Sequence, residues 1–321
     1  MKSIFAKSIG VALLAASTLA CAQGAAFPAK AVTLVVPYAP GGITDGAARV
    51  IAVKLAEKWK QPVVVANRAG GGTVIGTKEV ASAAGDGHTL LLTSFGYVMN
   101  QVLAKSLPYD PTSLTPLNLV GLSPNVLYLH SSLPISSVAE LVAYAKAHPG
   151  ALKFASSGNA SSPHIAAELF GSLTGTNVIH VAYRGTGPAM QDVLGGQVSG
   201  IFDTLQSMQH VKSGKLKVIA VAHTERLPGA PDVPTFKEAG LPGMVTSSWF
   251  GFFAPTATPE PLRRRIFDDI QDVLKLPEVR VKLVQLGLEP SLVSQADFQR
   301  FLDSEVGRWT ALTKARNINL D

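Results

Sequence analysis

Three stretches of the chain hold side chains with chemical potential. The run Ser156-Ser157-Gly158-Asn159-Ala160-Ser161-Ser162-Pro163-His164 gathers hydroxyls, an amide and an imidazole. Arg184 leads into Gly185-Thr186-Gly187, and Asp203 closes the apolar run 198–202. Hydroxyl and imidazole together suggest acyl transfer, yet no G-x-S-x-G elbow occurs anywhere in the 321 residues. Ser162 and His164 stand two apart at a helix start, and such positions point in different directions. The seven histidines, at 88, 130, 148, 164, 180, 210 and 223, show no H-E-x-x-H and no paired ligand spacing. A secreted serine hydrolase with a distant triad is the alternative reading; binding without catalysis, cofactor or metal is the leading one.

A fourth stretch favours binding. Leu34-Val35-Val36-Pro37-Tyr38-Ala39-Pro40-Gly41-Gly42-Ile43-Thr44-Asp45 reads as a buried strand, a glycine turn and a helix start. Pro40-Gly41-Gly42 lets the backbone approach a ligand closely, and Thr44 or Asp45 can cap the helix. The free N–H groups of that helix end favour a bound anion. No Walker lysine follows the glycines, and Gly41-Gly42-x-x-x-Gly46 lacks the dinucleotide spacing. Asp45 would repel a phosphate. A small carboxylate fits these constraints better than a nucleotide.

The elements that position these loops alternate. Apolar residues Ala48, Ile51, Ala52, Leu55 and Trp59 form a helical stripe after the glycine turn. A strand over 62–66, a helix over 73–84 and a strand over 88–93 follow, which predicts right-handed βαβ units and a parallel sheet. Ligands in such sheets sit outside the carboxyl ends of strands, so Thr93 and Ser94 should face the same crevice as Gly41. The long apolar run 117–130, interrupted at Ser123-Pro124, predicts a crossover into a second domain. There the strand–helix rhythm restarts, with Ser162 placed to cap a helix and Pro163 at its first turn. A second long strand over 245–255 returns the chain. Helices near 259–274, 277–286 and 294–316 finish it, the last with a packing stripe that includes Trp309. The expected domains are 27–121 with 249–321, and 122–248.

Hydrophobic content of 47% and charged content of 16% describe a packed globular chain. Lys2 and Lys7, the apolar run 9–20 and Ala20-Cys21-Ala22 predict a cleaved signal peptide over 1–22; the competing reading makes Cys21 a lipidated N-terminus. Cleavage removes the single cysteine, and with it any thiol chemistry. The formal charge of +6 falls to +4 once Lys2 and Lys7 leave, too little for a nucleic-acid footprint. Arg263-Arg264-Arg265 is expected on a solvated helix face.

The stretch Pro37-Tyr38-Ala39-Pro40-Gly41-Gly42-Ile43-Thr44-Asp45 with Ala48-Arg49 resembles the signature loop of the Bug family, the periplasmic substrate-binding proteins of tripartite tricarboxylate transporters. The likeness continues through Asn67-Arg68, Asp86-Gly87-x-Thr89-Leu90-Leu91, Leu107-Pro108-Tyr109-Asp110, Ala155-Ser156-Ser157-Gly158, Tyr183-Arg184-Gly185, Phe202-Asp203, Asp232-Val233-Pro234-Thr235 and Trp249-x-Gly251, in order along the mature chain. It departs at His88, Gln101 and Ala182, where Tyr, Pro and Pro are usual. The resemblance implies an α/β Venus flytrap of two domains, each a mostly parallel sheet flanked by helices, joined by two crossover strands. It implies a monomeric periplasmic receptor that delivers a di- or tricarboxylate, amino acid or aromatic acid to membrane transporter subunits; a sensor for a signalling partner is a further alternative. Carried over, the ligand-binding residues are Tyr38, Gly41, Gly42, Ile43, Thr44, Asp45, Thr93, Ser94, Ser157, Asn159, Ser162, His164, Arg184, Gly185 and Asp203. Side chains at Ile43, Phe95, Tyr97 and Thr204 are expected to select the ligand. Asp203 is expected either to bind a ligand ammonium or to accept helix N–H groups across the cleft.

Overall fold

In the computed structural model, which describes residues 27–316, the chain builds two sheets and crosses between them twice. The expected signal peptide over 1–22 and Cys21 lie outside the described residues. The first sheet has the order β11-β4-β10-β3-β1-β2, built from β1 (Val32–Val36), β2 (Val63–Asn67), β3 (Thr89–Ser94), β4 (Leu114–Pro124), β10 (Ser247–Pro255) and β11 (Glu289–Pro290). The second has the order β7-β6-β8-β5-β9, from β5 (Val126–His130), β6 (Lys153–Ser156), β7 (Ile179–Ala182), β8 (Gly200–Asp203) and β9 (Leu216–Val221). Helices flank both, so the architecture is a two-domain α/β fold.

The sheets are mixed rather than mostly parallel. β1 pairs in parallel with β2 and β3, and β6 with β7 and β8, as βαβ units require. The crossover strands run the other way. β10 is antiparallel to both β3 and β4, and β5 is antiparallel to β8 and β9. A strand that leaves one sheet and returns from the other arrives reversed, which the local strand–helix rhythm does not reveal.

Only Asn125 separates β4 from β5, so the break falls one residue after the expected Ser123-Pro124. Pro124 is tolerated because it ends its strand, opposite Ser247. On the return path Ala222 N–H donates to Asn125 O (2.7 Å), Thr246 N–H to Ala222 O (2.9 Å) and Asn125 N–H to Thr246 O (3.1 Å). Both crossings thus meet in one hydrogen-bonded knot.

Packing follows the sequence pattern. In α1 (Ile43–Trp59) the stripe Ala48, Ile51, Ala52, Leu55 and Trp59 is buried against the first sheet. The final helix, α10 (Gln295–Arg316), buries Phe298, Leu302 and Trp309, and Trp309 meets Phe95 edge-on at 5.1 Å. Its start is capped as its sequence predicts, Ser294 Oγ accepting from Asp297 N–H at 3.1 Å. The arginine cluster lies on α8 (Glu260–Lys275); Arg264 and Arg265 are exposed, whereas Arg263 ties back to the Thr256 and Thr258 carbonyls.

Candidate ligand cavity between the lobes

The strand-end loops of both sheets converge on a cavity of about 50 Å³. From the first sheet it is lined by Tyr38, Gly42, Ile43, Thr44 and Ser94; from the second by Ser157, Gly185 and Asp203. A wider outer space of about 740 Å³ shares Tyr38 and Ser157 with it and adds Asn159 and Arg184. The lobes touch across the cleft. A Cβ on Gly185, whose φ of +126° suits only glycine, would lie 3.2 Å from Ala39 Cβ, and one on Gly72 would lie 2.9 Å from the Asn159 carbonyl.

The cavity is walled by helix starts. Gly42, Ile43 and Thr44 open α1; Pro163 stands in the first turn of α5 (Ser162–Thr174); Gly185 and Thr186 open α6 (Thr186–Leu194). Thr204 precedes a 3₁₀ turn (Leu205–Ser207), its Oγ1 accepting from Gln206 N–H. First-turn N–H groups lack helical acceptors and carry the positive end of the helix dipole, so their convergence favours a carboxylate without any cationic side chain.

Several predicted residues support this wall without forming it. Gly42, not Thr44 or Asp45, is the N-cap of α1; Thr44 and Asp45 lie inside the helix. Asp45 is a brace instead. It accepts from Gly41 N–H (3.1 Å), from Arg49 Nη2–H (2.9 Å) and from Asn67 Nδ2–H (3.0 Å). Burial pushes its carboxyl up, but these hydrogen bonds outweigh burial and hold it below the usual carboxylate range. Gly41, with φ +92°, turns the loop and has its N–H taken up by Asp45. Thr93 is fully buried behind the wall. Tyr38 and Ser94 share a 2.6 Å hydrogen bond, and burial pushes the Tyr38 phenol up to about 12.

Ser162 also stands behind the wall. It is the first residue of α5 rather than its cap, which is Ser161, and its hydroxyl accepts from Asn125 Nδ2–H at 2.5 Å. His164 lines neither space. Its Nδ1 accepts from Ala160 N–H (3.1 Å) and its ring stacks on His180 at 3.7 Å. Burial pushes the two imidazoles down to about 3 and about 4, so both are neutral near pH 7. A Ser–His hydrogen bond exists between Ser156 Oγ and His180 Nε2 (2.6 Å), but it is packed beneath the loop, away from the cavity.

Asp203 does line the cavity. Its Oδ2 accepts from Ser207 Oγ–H at 2.5 Å, within its own lobe rather than across the cleft. Burial pushes its carboxyl up to about 6 despite that bond and one from Thr204 N–H. Of the expected selectivity residues, Ile43 and Thr204 line the cavity, whereas Phe95 packs on Trp309 and Tyr97 on Phe253. Sequence reasoning passed over Asn125, Thr186, Ser248 and Phe250, all cavity-lining. A readable signal existed for two of them: Asn125 and Ser248 are polar interruptions in the crossover strands, the segments that must pass the cleft.

The model of the tripartite tricarboxylate transporter family receptor (TctC) matches residues 47–318. The chain belongs to this family. It is also similar to three solved structures. The periplasmic binding protein BugD is 32% identical, with a TM-score of 0.86 over 91% of this chain and 99% of that one. Rpa4515 of R. palustris with adipate is 35% identical, with a TM-score of 0.87 over the same shares. MatC (Rpa3494) from Rhodopseudomonas palustris with bound malate is 33% identical, with a TM-score of 0.84 over 89% and 99%. The TctC family is one of receptors, and two of these similar structures hold a small carboxylate, adipate in one and malate in the other.

Proposed function

We propose that this TctC-family chain is a periplasmic solute receptor that closes its two lobes on a small carboxylate and presents it to membrane transporter subunits. The carrying observation is the cavity itself, where helix starts from both lobes bring N–H groups and hydroxyls together and, among the described residues, no lysine or arginine intrudes. A ligand held from both sides stabilises the closed arrangement by its contacts to each lobe. The adipate and malate held by two relatives make a dicarboxylate the leading class. The sequence 1–22 supplies the periplasmic address, and the lobes divide as 27–121 with 249–321, and 122–248. Ser156 is buried and the Ser156–His180 pair lines neither the cavity nor the wider space, which supports binding over hydrolysis.

Isothermal titration of ligand-stripped protein against succinate, malate, adipate, citrate, glutamate and benzoate tests this reading. Saturable binding of at least one is expected, with stabilisation of about 2.7 kcal/mol at a ligand concentration of 100 Kd. Absence of binding across the panel refutes it. Pull-down from membranes with the loaded receptor checks the transporter as recipient.

A further inference from the structure

Asp203 is an acid in the wall of a site that the proposed function gives to an acid. Its residue is 7% exposed, and it shares the 50 Å³ cavity with the N–H groups and hydroxyls that would hold a ligand carboxylate. Two carboxylates confined to so small a space lie within a few ångströms of each other, and both cannot stay ionised cheaply without a cation between them. No cation is placed to help. Among the described residues the cavity lining holds no Lys, Arg or His. Arg184 opens on the outer space, and Asp45 is already tied to Arg49. The groups around Asp203 are accounted for element by element. β5 brings Tyr128, whose phenol donates to the Thr204 carbonyl and not to the acid. The 3₁₀ turn brings the uncharged Ser207, and the β6 loop brings the uncharged Ser157. α5 and β7 carry His164, His180 and Glu168, of which none lines the cavity. α1 contributes the uncharged Ile43 and Thr44, and the loop before it brings Tyr38, whose phenol shares a hydrogen bond with Ser94.

We infer that Asp203 takes up one proton when a carboxylate ligand enters, and that its carboxyl O–H then donates to the ligand. The proton comes from solvent before the cleft shuts, so the bound pair is one carboxylic acid and one carboxylate sharing a hydrogen bond. The free carboxyl, already raised to about 6 by burial, is poised for this change near neutral pH. Binding raises it further, and linkage fixes the sign. Affinity is greatest below about 6 and falls as pH rises, by up to about tenfold per pH unit until the loaded-state value is passed. The inference rests on the receptor reading and fixes the ligand's partner within it.

Succinate, malate and adipate titrated between pH 7 and 8.5, where all three are dianions, provide the test. Heats measured in phosphate and in Tris at one pH give the proton count directly, without any variant. Uptake of close to one proton by the wild-type protein is expected, with Kd weakening by about tenfold per unit. Asp203→Asn keeps the shape and supplies a permanent N–H donor; it should bind with a Kd nearly flat in pH and tighter than wild type at pH 8. Saturable binding with no proton uptake overturns the inference and leaves the receptor reading standing. Affinity that rises with pH, together with binding of an amino acid that Asp203→Asn abolishes, overturns it in favour of an ammonium partner. Failure of every probe to bind overturns both.

Discussion

Asp45 and Asp203 are carboxylates at strand–helix junctions, and their surroundings send them opposite ways. Asp45 meets Arg49, Asn67 and the Gly41 N–H and stays ionised; Asp203 meets one hydroxyl and one N–H in a buried wall and is raised. The first carboxylate holds a loop in shape and the second faces the space that the loop encloses. Asp45→Asn is therefore expected to lower stability by about 2 kcal/mol at pH 7, through loss of charge-assisted bonds. Because the folded carboxyl is depressed, its contribution is present above the ordinary carboxylate value near 4 and is lost as pH falls through the folded value. Urea denaturation at pH 7 and at pH 3 checks this: the gap between variant and wild type should narrow at the lower pH, and a constant gap contradicts it. Residue types announced these candidates but not their division of labour. A brace and a cavity-lining acid are the same side chain in sequence, distinguished only by which donors the fold brings within hydrogen-bond reach.

At the scale of elements, the stacked imidazoles tie α5 to β7 beneath the Ser157 loop. Their folded values of about 3 and about 4 lie below the ordinary value of 6.5, so the unfolded chain binds more protons between those limits. Stability is complete above about 6.5 and declines as pH falls toward 4, on the order of 1 kcal/mol per pH unit for each imidazole. Thermal unfolding of ligand-free protein should show that slope, and His164→Gln should flatten it; an unchanged slope removes the pair as its cause. The helix starts and glycine turns were legible because their signals are local: glycine at a turn, hydroxyls at a strand end, a stripe at helical spacing. The antiparallel crossover strands were not, since direction is set by a partner far away in sequence. Gly251 illustrates the limit. Its need for a missing side chain comes from Phe298, whose ring carbon would sit 2.3 Å from a Cβ there.

At the scale of the molecule, the knot of Asn125, Ala222 and Thr246 is the place where the two lobes are joined. The Asn125 amide donates to Ser162 Oγ of one lobe and to Thr246 Oγ1 at the crossing (2.5 and 2.9 Å). Asn125→Ala should cost about 1–3 kcal/mol by leaving these buried hydroxyls short of a donor, and should weaken ligand affinity as well. Chemical denaturation and titration with the tightest-binding member of the carboxylate panel measure the two effects, and a variant unchanged in both shows that the amide bridges nothing of consequence. The domain rhythm was readable from the sequence and the joint was not, because a single asparagine between two apolar strands looks like an accident until its neighbours are known.

The knot has a geometric consequence. In the proposed closure Asn125 would be at once the pivot and part of the cavity lining, with Ser248 and Phe250 beside it. Points close to a pivot travel little when the arms swing, whereas the rims at Gly72 and Asn159, or at Ala39 and Gly185, sweep the full arc. A molecule entering under that closure would meet a floor already in its final position, with only the far jaws left to find it.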